Sequence, residues 1–84
     1  MEKKSLTERV KEILSDQIMM DEEVDMTKTL SDSYAIDSLD MAEVEMLLEE
    51  EFKIVIPSAD PLHEGMSGND VLKRVKRLIE KGQA

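Results

Sequence analysis

A chain of 84 residues with a formal net charge of −9 supports one small domain, 1–84, that buries only about 60% of its unfolded surface and leaves no room for a deep catalytic cleft. Cysteine is absent and the apolar runs are short, which excludes a disulfide framework, a thiolate metal site and a membrane-spanning helix; with the polar start Met1-Glu2-Lys3-Lys4, a cytoplasmic, untargeted chain without stable membrane insertion is expected. Residues 21–66 hold fourteen acidic against two basic residues and residues 67–84 two against five; such a middle repels nucleic-acid phosphates and would attract basic protein surfaces, although charge alone favours a solubilising acidic face.

Ser5 followed by Glu8 matches a capping box, and Leu6, Val10, Ile13, Leu14 and Ile18 recur at helical spacing. A first amphipathic helix, packed on the core, is therefore predicted from Leu6 to about Met19. Residues 20–36 carry no sustained helical stripe. A loop of that length is either functional or disordered, and Val24, Met26, Leu30, Tyr34 and Ile36 favour an ordered one pinned to the core.

The stretch Ile36 to Phe52 contains the second and most informative helix. At about 100° per residue, Met41, Val44, Leu48 and Phe52 share one stripe, which faces the core. Leu39, Ala42 and Met46 fall on a different stripe, and Asp40, Glu43 and Glu50 lie beside it. A packing helix needs only one stripe, so the second is predicted to meet a partner: apolar contacts rimmed by carboxylates suit transient recognition, and methionine adapts to several shapes. The alternative is that Leu39 and Ala42 touch the preceding loop. Glu45 borders the buried stripe and has no evident role.

Ile54-Val55-Ile56 is apolar and β-branched, and Pro57 stops any helix. Ser58 to Gly68, with Pro61, Gly65 and Gly68, reads as loop with at most a short helical turn. His63 in that loop has no second histidine and no cysteine with which to hold a metal, and is expected to be exposed to solvent. Ser67 or Asn69 can cap a last helix that buries Val71, Leu72, Val75, Leu78 and Ile79 and ends near Gly82. Lys73, Arg74, Lys76, Arg77 and Lys81 crowd its other, solvated face.

No catalytic or metal site is expected. A serine nucleophile needs a base and an oxyanion hole, and carboxylates on an exposed helix have no burial to separate their pKa values. The acidic stretch Asp32 to Asp40 lacks the glycine and oxygen spacing of a calcium loop, and no glycine-rich phosphate loop is present. Ser38 by itself is an ordinary helix cap. Its place at a helix start nevertheless suits a phosphodiester, because unpaired N–H groups and the positive end of the helix favour negative charge.

Asp37-Ser38-Leu39-Asp40, Glu43 and Met46 along the second helix, Glu49-Glu50-Glu51-Phe52 at its end and Ile56-Pro57 after it together resemble the acyl carrier protein family. The resemblance runs from about Leu6 to Ile79. It implies an all-α fold, a small four-helix bundle of the acyl-carrier type with an irregular or short third helix. It also implies that Ser38 accepts 4'-phosphopantetheine from a phosphopantetheinyl transferase and that acyl groups travel as thioesters between enzymes of fatty-acid, lipid or polyketide-type synthesis. The chain itself would then not be an enzyme.

Carried over by position, Asp37, Asp40, Glu43, Glu49 and Glu50 are the electrostatic contacts, and Leu39 and Met46 the apolar ones, to acyl-transferring or acyl-modifying enzymes with basic docking patches. A monomer that binds no nucleic acid is expected. The family also implies that the acyl chain shelters between helices, where an eight-carbon chain at about 0.8 kcal/mol per methylene gains roughly 6 kcal/mol before the cost of opening the bundle. The chain departs from the family in three places. Tyr34-Ala35-Ile36 precedes the motif where Leu-Gly is frequent, the segment after Pro57 is longer than usual, and Glu45 stands where an apolar core-facing residue is common. These departures point to a specialised carrier. Two other readings stay open: an aminoacyl or peptidyl carrier, and an unmodified acidic helical interaction module.

Overall fold

The computed structural model describes residues 5–18 and 23–82. Among them the chain forms helices α1 (Leu6–Ile18), α2 (Leu30–Tyr34), α3 (Ser38–Phe52) and α4 (Gly68–Gly82). The capping box predicted for α1 is present, with the Glu8 N–H donating to Ser5 Oγ at 3.1 Å and the Ser5 N–H to Glu8 Oε1 at 3.4 Å. The predicted end of this helix at Met19 lies outside the described residues. None of the described helices is long and apolar enough to cross a membrane.

The core is the predicted set of stripes brought together. Met41, Val44 and Leu48 of α3, Val10 and Leu14 of α1, and Val71 and Val75 of α4 are each at most 2% exposed and belong to one cluster. Helix α1 packs against both α3 and α4. It runs antiparallel to α3, because Arg9 near its start reaches the end of α3 while Gln17 near its end reaches the beginning. The Arg9 guanidinium pairs with Glu51 at 2.8 Å, donates to the Glu51 carbonyl at 3.2 Å and stacks 4.5 Å from the Phe52 ring centroid. A cation is thus held at the end of α3, where unpaired carbonyls carry partial negative charge.

No residue between Ile54 and Ser67 is helical, so the expected third helix is irregular throughout. The short helix is instead α2, inside the segment read as loop. Five residues are too few to show a periodic stripe, and this helix is held by tertiary bonds. Leu30 N–H donates to the Met66 carbonyl at 3.0 Å, Ser31 N–H to Glu64 at 2.9 Å and Asn69 N–H to Met26 at 2.8 Å, and Thr29 and Ser67 form an isolated antiparallel bridge.

The two long connections are thereby knitted to each other. Gly68 permits the approach: a Cβ at that position would lie 2.5 Å from Met26 Sδ and 3.0 Å from Met26 Cα. Ser67 caps α4, its Oγ accepting the Asp70 N–H at 3.2 Å while Asp70 Oδ2 accepts the Ser67 N–H at 3.1 Å.

The segment after α3 is fastened from both sides. Glu45 Oε2 accepts the Leu62 N–H at 2.7 Å, and Glu49 Oε2, one turn along, accepts the Ile56 N–H at 2.8 Å. From α4, Arg74 donates to the Asp60 carbonyl at 2.6 Å and to Asp60 Oδ1 at 3.2 Å. Ile54, Ile56 and Leu62 are buried and Val55 is exposed, the alternation of an extended chain lying on a surface.

Candidate functional site

Asp37, not Ser38, caps α3. Asp37 is extended (φ −108°, ψ −175°); its carboxylate accepts the Asp40 N–H at 2.9 Å and the Asp40 carboxylate accepts the Asp37 N–H at 3.1 Å. This reciprocal box corrects the reading of Ser38 as a cap. The reason lies in the spacing: a box starting at Ser38 would need an acceptor side chain at Met41, which is apolar, whereas one starting at Asp37 finds Asp40. Ser38 is therefore the first helical residue. Its side chain is exposed and its hydroxyl takes part in no hydrogen bond among the described residues.

The approach to Ser38 is firmly set. Ile36 is buried just before it and Met41 just after it. Upstream, the Tyr34 hydroxyl accepts the Asp25 N–H at 2.6 Å. Ala35 makes the turn out of α2 in the left-handed region, at φ 55°, where a residue with a Cβ is disfavoured relative to glycine. The departure from Leu-Gly thus places an alanine in a backbone conformation that favours glycine.

The N–H groups of Ser38 and Leu39 find no acceptor among the described residues, as expected of donors in a first helical turn. A phosphodiester on Ser38 Oγ fits this setting: the oxygen bonds to none of the described residues, two backbone donors are near in sequence, and the positive end of α3 favours the charge. The described residues bury no polar or charged side chain. They include no group of histidine, cysteine, aspartate or glutamate able to hold a metal, and His63 is exposed.

The second apolar stripe faces solvent. Leu39 is 77% exposed and Met46 62%, and Ala42 is exposed as well, so Leu39 and Ala42 do not lie on the preceding loop. Leu47, 41% exposed, joins them. Sequence reasoning passed over it because it falls among the acidic positions, although counting every apolar residue outside the core stripe would have found it.

Asp37, Glu43 and Glu50 are exposed, and Asp40 and Glu49 are half-buried. One Glu49 oxygen is already taken by Ile56. Gln17, which was not singled out from the sequence, donates from Nε2 to Asp40 Oδ1 at 3.2 Å and to Glu43 Oε2 at 3.1 Å. The Asp37 N–H first, and then the Gln17 amide, hold the Asp40 carboxyl below the usual carboxylate range, so it stays charged near neutrality.

Residues 8–62 match the family described as "Phosphopantetheine attachment site", a span that includes Ser38 and the face around it. Two proteins named "Acyl carrier protein", from Clostridium acetobutylicum and from Clostridium perfringens (strain SM101), are each 37% identical to the chain. The two alignments, over 75 and 76 residues, cover 88% of this chain and 96% and 97% of those proteins.

Proposed function

We propose that this chain, which belongs to the acyl carrier protein family, bears its prosthetic group on Ser38. It is an acyl carrier with phosphopantetheine as cofactor. Bound there, the cofactor supplies a thiol on a long flexible arm, on which acyl groups are held as thioesters. Every other task at the site falls to the chain's own residues. Ser38 Oγ is the attachment oxygen, and the N–H groups of Ser38 and Leu39 offset the charge of the phosphodiester. Asp37 and Asp40 fix the helix start, so the hydroxyl is presented at a constant angle.

Leu39, Ala42, Met46 and Leu47 offer apolar contact, and Asp37, Asp40, Glu43, Glu49 and Glu50 attract the basic docking patches of the transferase and of acyl-handling enzymes. We take the chain, 1–84, to be one domain that works as a cytoplasmic monomer and catalyses nothing itself. The match of residues 8–62 to an attachment-site family disfavours the unmodified interaction module.

The observation that carries this proposal is the exposed hydroxyl at the first position of α3, which bonds to none of the described residues and is released from capping by Asp37. Incubation with coenzyme A and a broad-specificity phosphopantetheinyl transferase, followed by intact mass, tests it. Addition of one phosphopantetheine to the wild type and none to Ser38→Ala is expected. A wild type that stays bare, or a Ser38→Ala chain that is modified, overturns it. Mass spectrometry of the protein from its native host would then identify the cargo.

A further inference from the structure

Gln17 lies on the last turn of α1, across from the docking face of α3. Its single Nε2 lies 3.2 Å from Asp40 Oδ1 and 3.1 Å from Glu43 Oε2, which confines those two oxygens to within about 6 Å of each other, two hydrogen-bond lengths. Asp40 and Glu43 are three residues apart on one helix, where like charges repel. An amide donor relieves that repulsion and leaves both charges in place. No basic side chain among the described residues pairs with either carboxylate. Two fixed acceptors a few ångströms apart match the forked donors of one guanidinium, and they sit beside Leu39 and Ala42 on the exposed apolar stripe.

We propose that Gln17 is a positioning residue for docking: it sets Asp40 and Glu43 as a paired acceptor for one arginine of the partner enzyme, so that the docking surface is built from α1 and α3 together. This rests on the reading of α3 as the docking face. It also accounts for an amide at this position. A lysine would reach the same two oxygens, but its charge would occupy them.

The test uses the full chain with coenzyme A and a phosphopantetheinyl transferase whose carrier-docking face is basic. The kcat/KM for the carrier and its salt dependence are measured beside thermal unfolding. Gln17→Ala should lower kcat/KM about two- to fivefold, through KM, as expected for loss of two hydrogen bonds, one part-buried and one exposed. Gln17→Lys should lower it about tenfold and flatten the salt dependence, with a Tm at or above that of the wild type.

In an Asp40→Asn/Glu43→Gln background, Gln17→Ala should have no further effect. Gln17→Lys at wild-type kcat/KM, or a Gln17→Ala effect that persists in the doubly neutralised background, makes Gln17 only a tie between helices and overturns the inference. If Asp40→Asn/Glu43→Gln by itself leaves transfer unchanged, the docking face falls and Gln17 with it. If that pair impairs transfer while both Gln17 variants do not, only the role of Gln17 falls.

Discussion

Glu45 on α3 accepts the backbone N–H of Leu62 at 2.7 Å. A charged residue on the edge of a core stripe had no assignable role from sequence, and here it supplies the acceptor for the Leu62 N–H. Pro57 and Pro61 lack N–H groups, and residues 54–62 form no ladder, so their remaining donors need partners from elsewhere. Glu45→Ala should cost about 1–2 kcal/mol, because it strands a buried donor, and should speed amide exchange at Leu62. Glu45→Gln keeps an acceptor oxygen and should stay nearer the wild type in urea unfolding. Equal Leu62 exchange in both variants would show that this bond does not hold the segment.

Gly68 marks a close approach to Met26 that the sequence concealed. In Gly68→Ala the added Cβ meets the Met26 sulfur at 2.5 Å and, more seriously, Met26 Cα at 3.0 Å. The sulfur can swing away but the backbone cannot, because Asn69 N–H is bonded to the Met26 carbonyl. A loss of about 1–3 kcal/mol is expected, typical of overpacking. A urea midpoint equal to that of the wild type would mean that the two connections are not knitted at this point.

Asp37 and Ser38 are neighbours with separable roles. Asp37→Ala removes the cap of α3 and should cost about 0.5–2 kcal/mol. Ser38→Ala should leave thermal stability within about 0.5 kcal/mol of the wild type while abolishing attachment of phosphopantetheine. Circular dichroism melts of the two variants, run beside the mass measurement, distinguish capping from attachment. A large loss of stability in Ser38→Ala would return the capping role to the serine.

Acid should weaken the fold through its aspartate caps and turns. The Ser67 N–H, then its hydroxyl, hold Asp70 below the usual carboxylate range. The Thr27 hydroxyl, then its N–H, do the same for Asp25, and the Asp37 N–H, then Gln17, for Asp40. Each carboxyl binds its proton less tightly folded than unfolded. Its contribution is therefore complete above the ordinary aspartate value of about 4 and is lost as pH falls from there through the lowered folded value. Acidification also relieves the repulsion of a chain with net charge −9, so the informative quantity is a difference between variants. The gap in urea midpoint between wild type and Asp70→Asn should be constant from pH 7 to about 5 and should close below about 4. A gap that does not change with pH would rule out this coupling.

Ala35 occupies a left-handed conformation at φ 55° with its side chain exposed. Relief of that strain, about 1 kcal/mol or more for a residue with a Cβ, exceeds the extra chain entropy that glycine loses on folding, about 0.5–1 kcal/mol. Ala35→Gly should therefore raise the melting temperature slightly and leave attachment at Ser38 intact. A lower melting temperature would show that the turn is not strained.

The sequence by itself determined the parts of this protein that local periodicity and local hydrogen bonding decide. The core stripes of α1, α3 and α4, the capping box at Ser5 and Glu8, the end of α4 near Gly82 and the exposed stripe of Leu39, Ala42 and Met46 all follow from residues within a turn or two of one another. Only the tertiary structure decided what depends on residues distant in the chain. It gave Glu45 and Glu49 the amides of Leu62 and Ile56 to hold, and it placed Gln17 between Asp40 and Glu43. It also made a short helix of Leu30–Tyr34 by pairing that segment with residues 64–67. The physical reason is that a hydrogen bond across the fold leaves no pattern in either of the segments it joins. A carboxylate bound for solvent and one bound for a distant amide read alike until the chain has closed on itself.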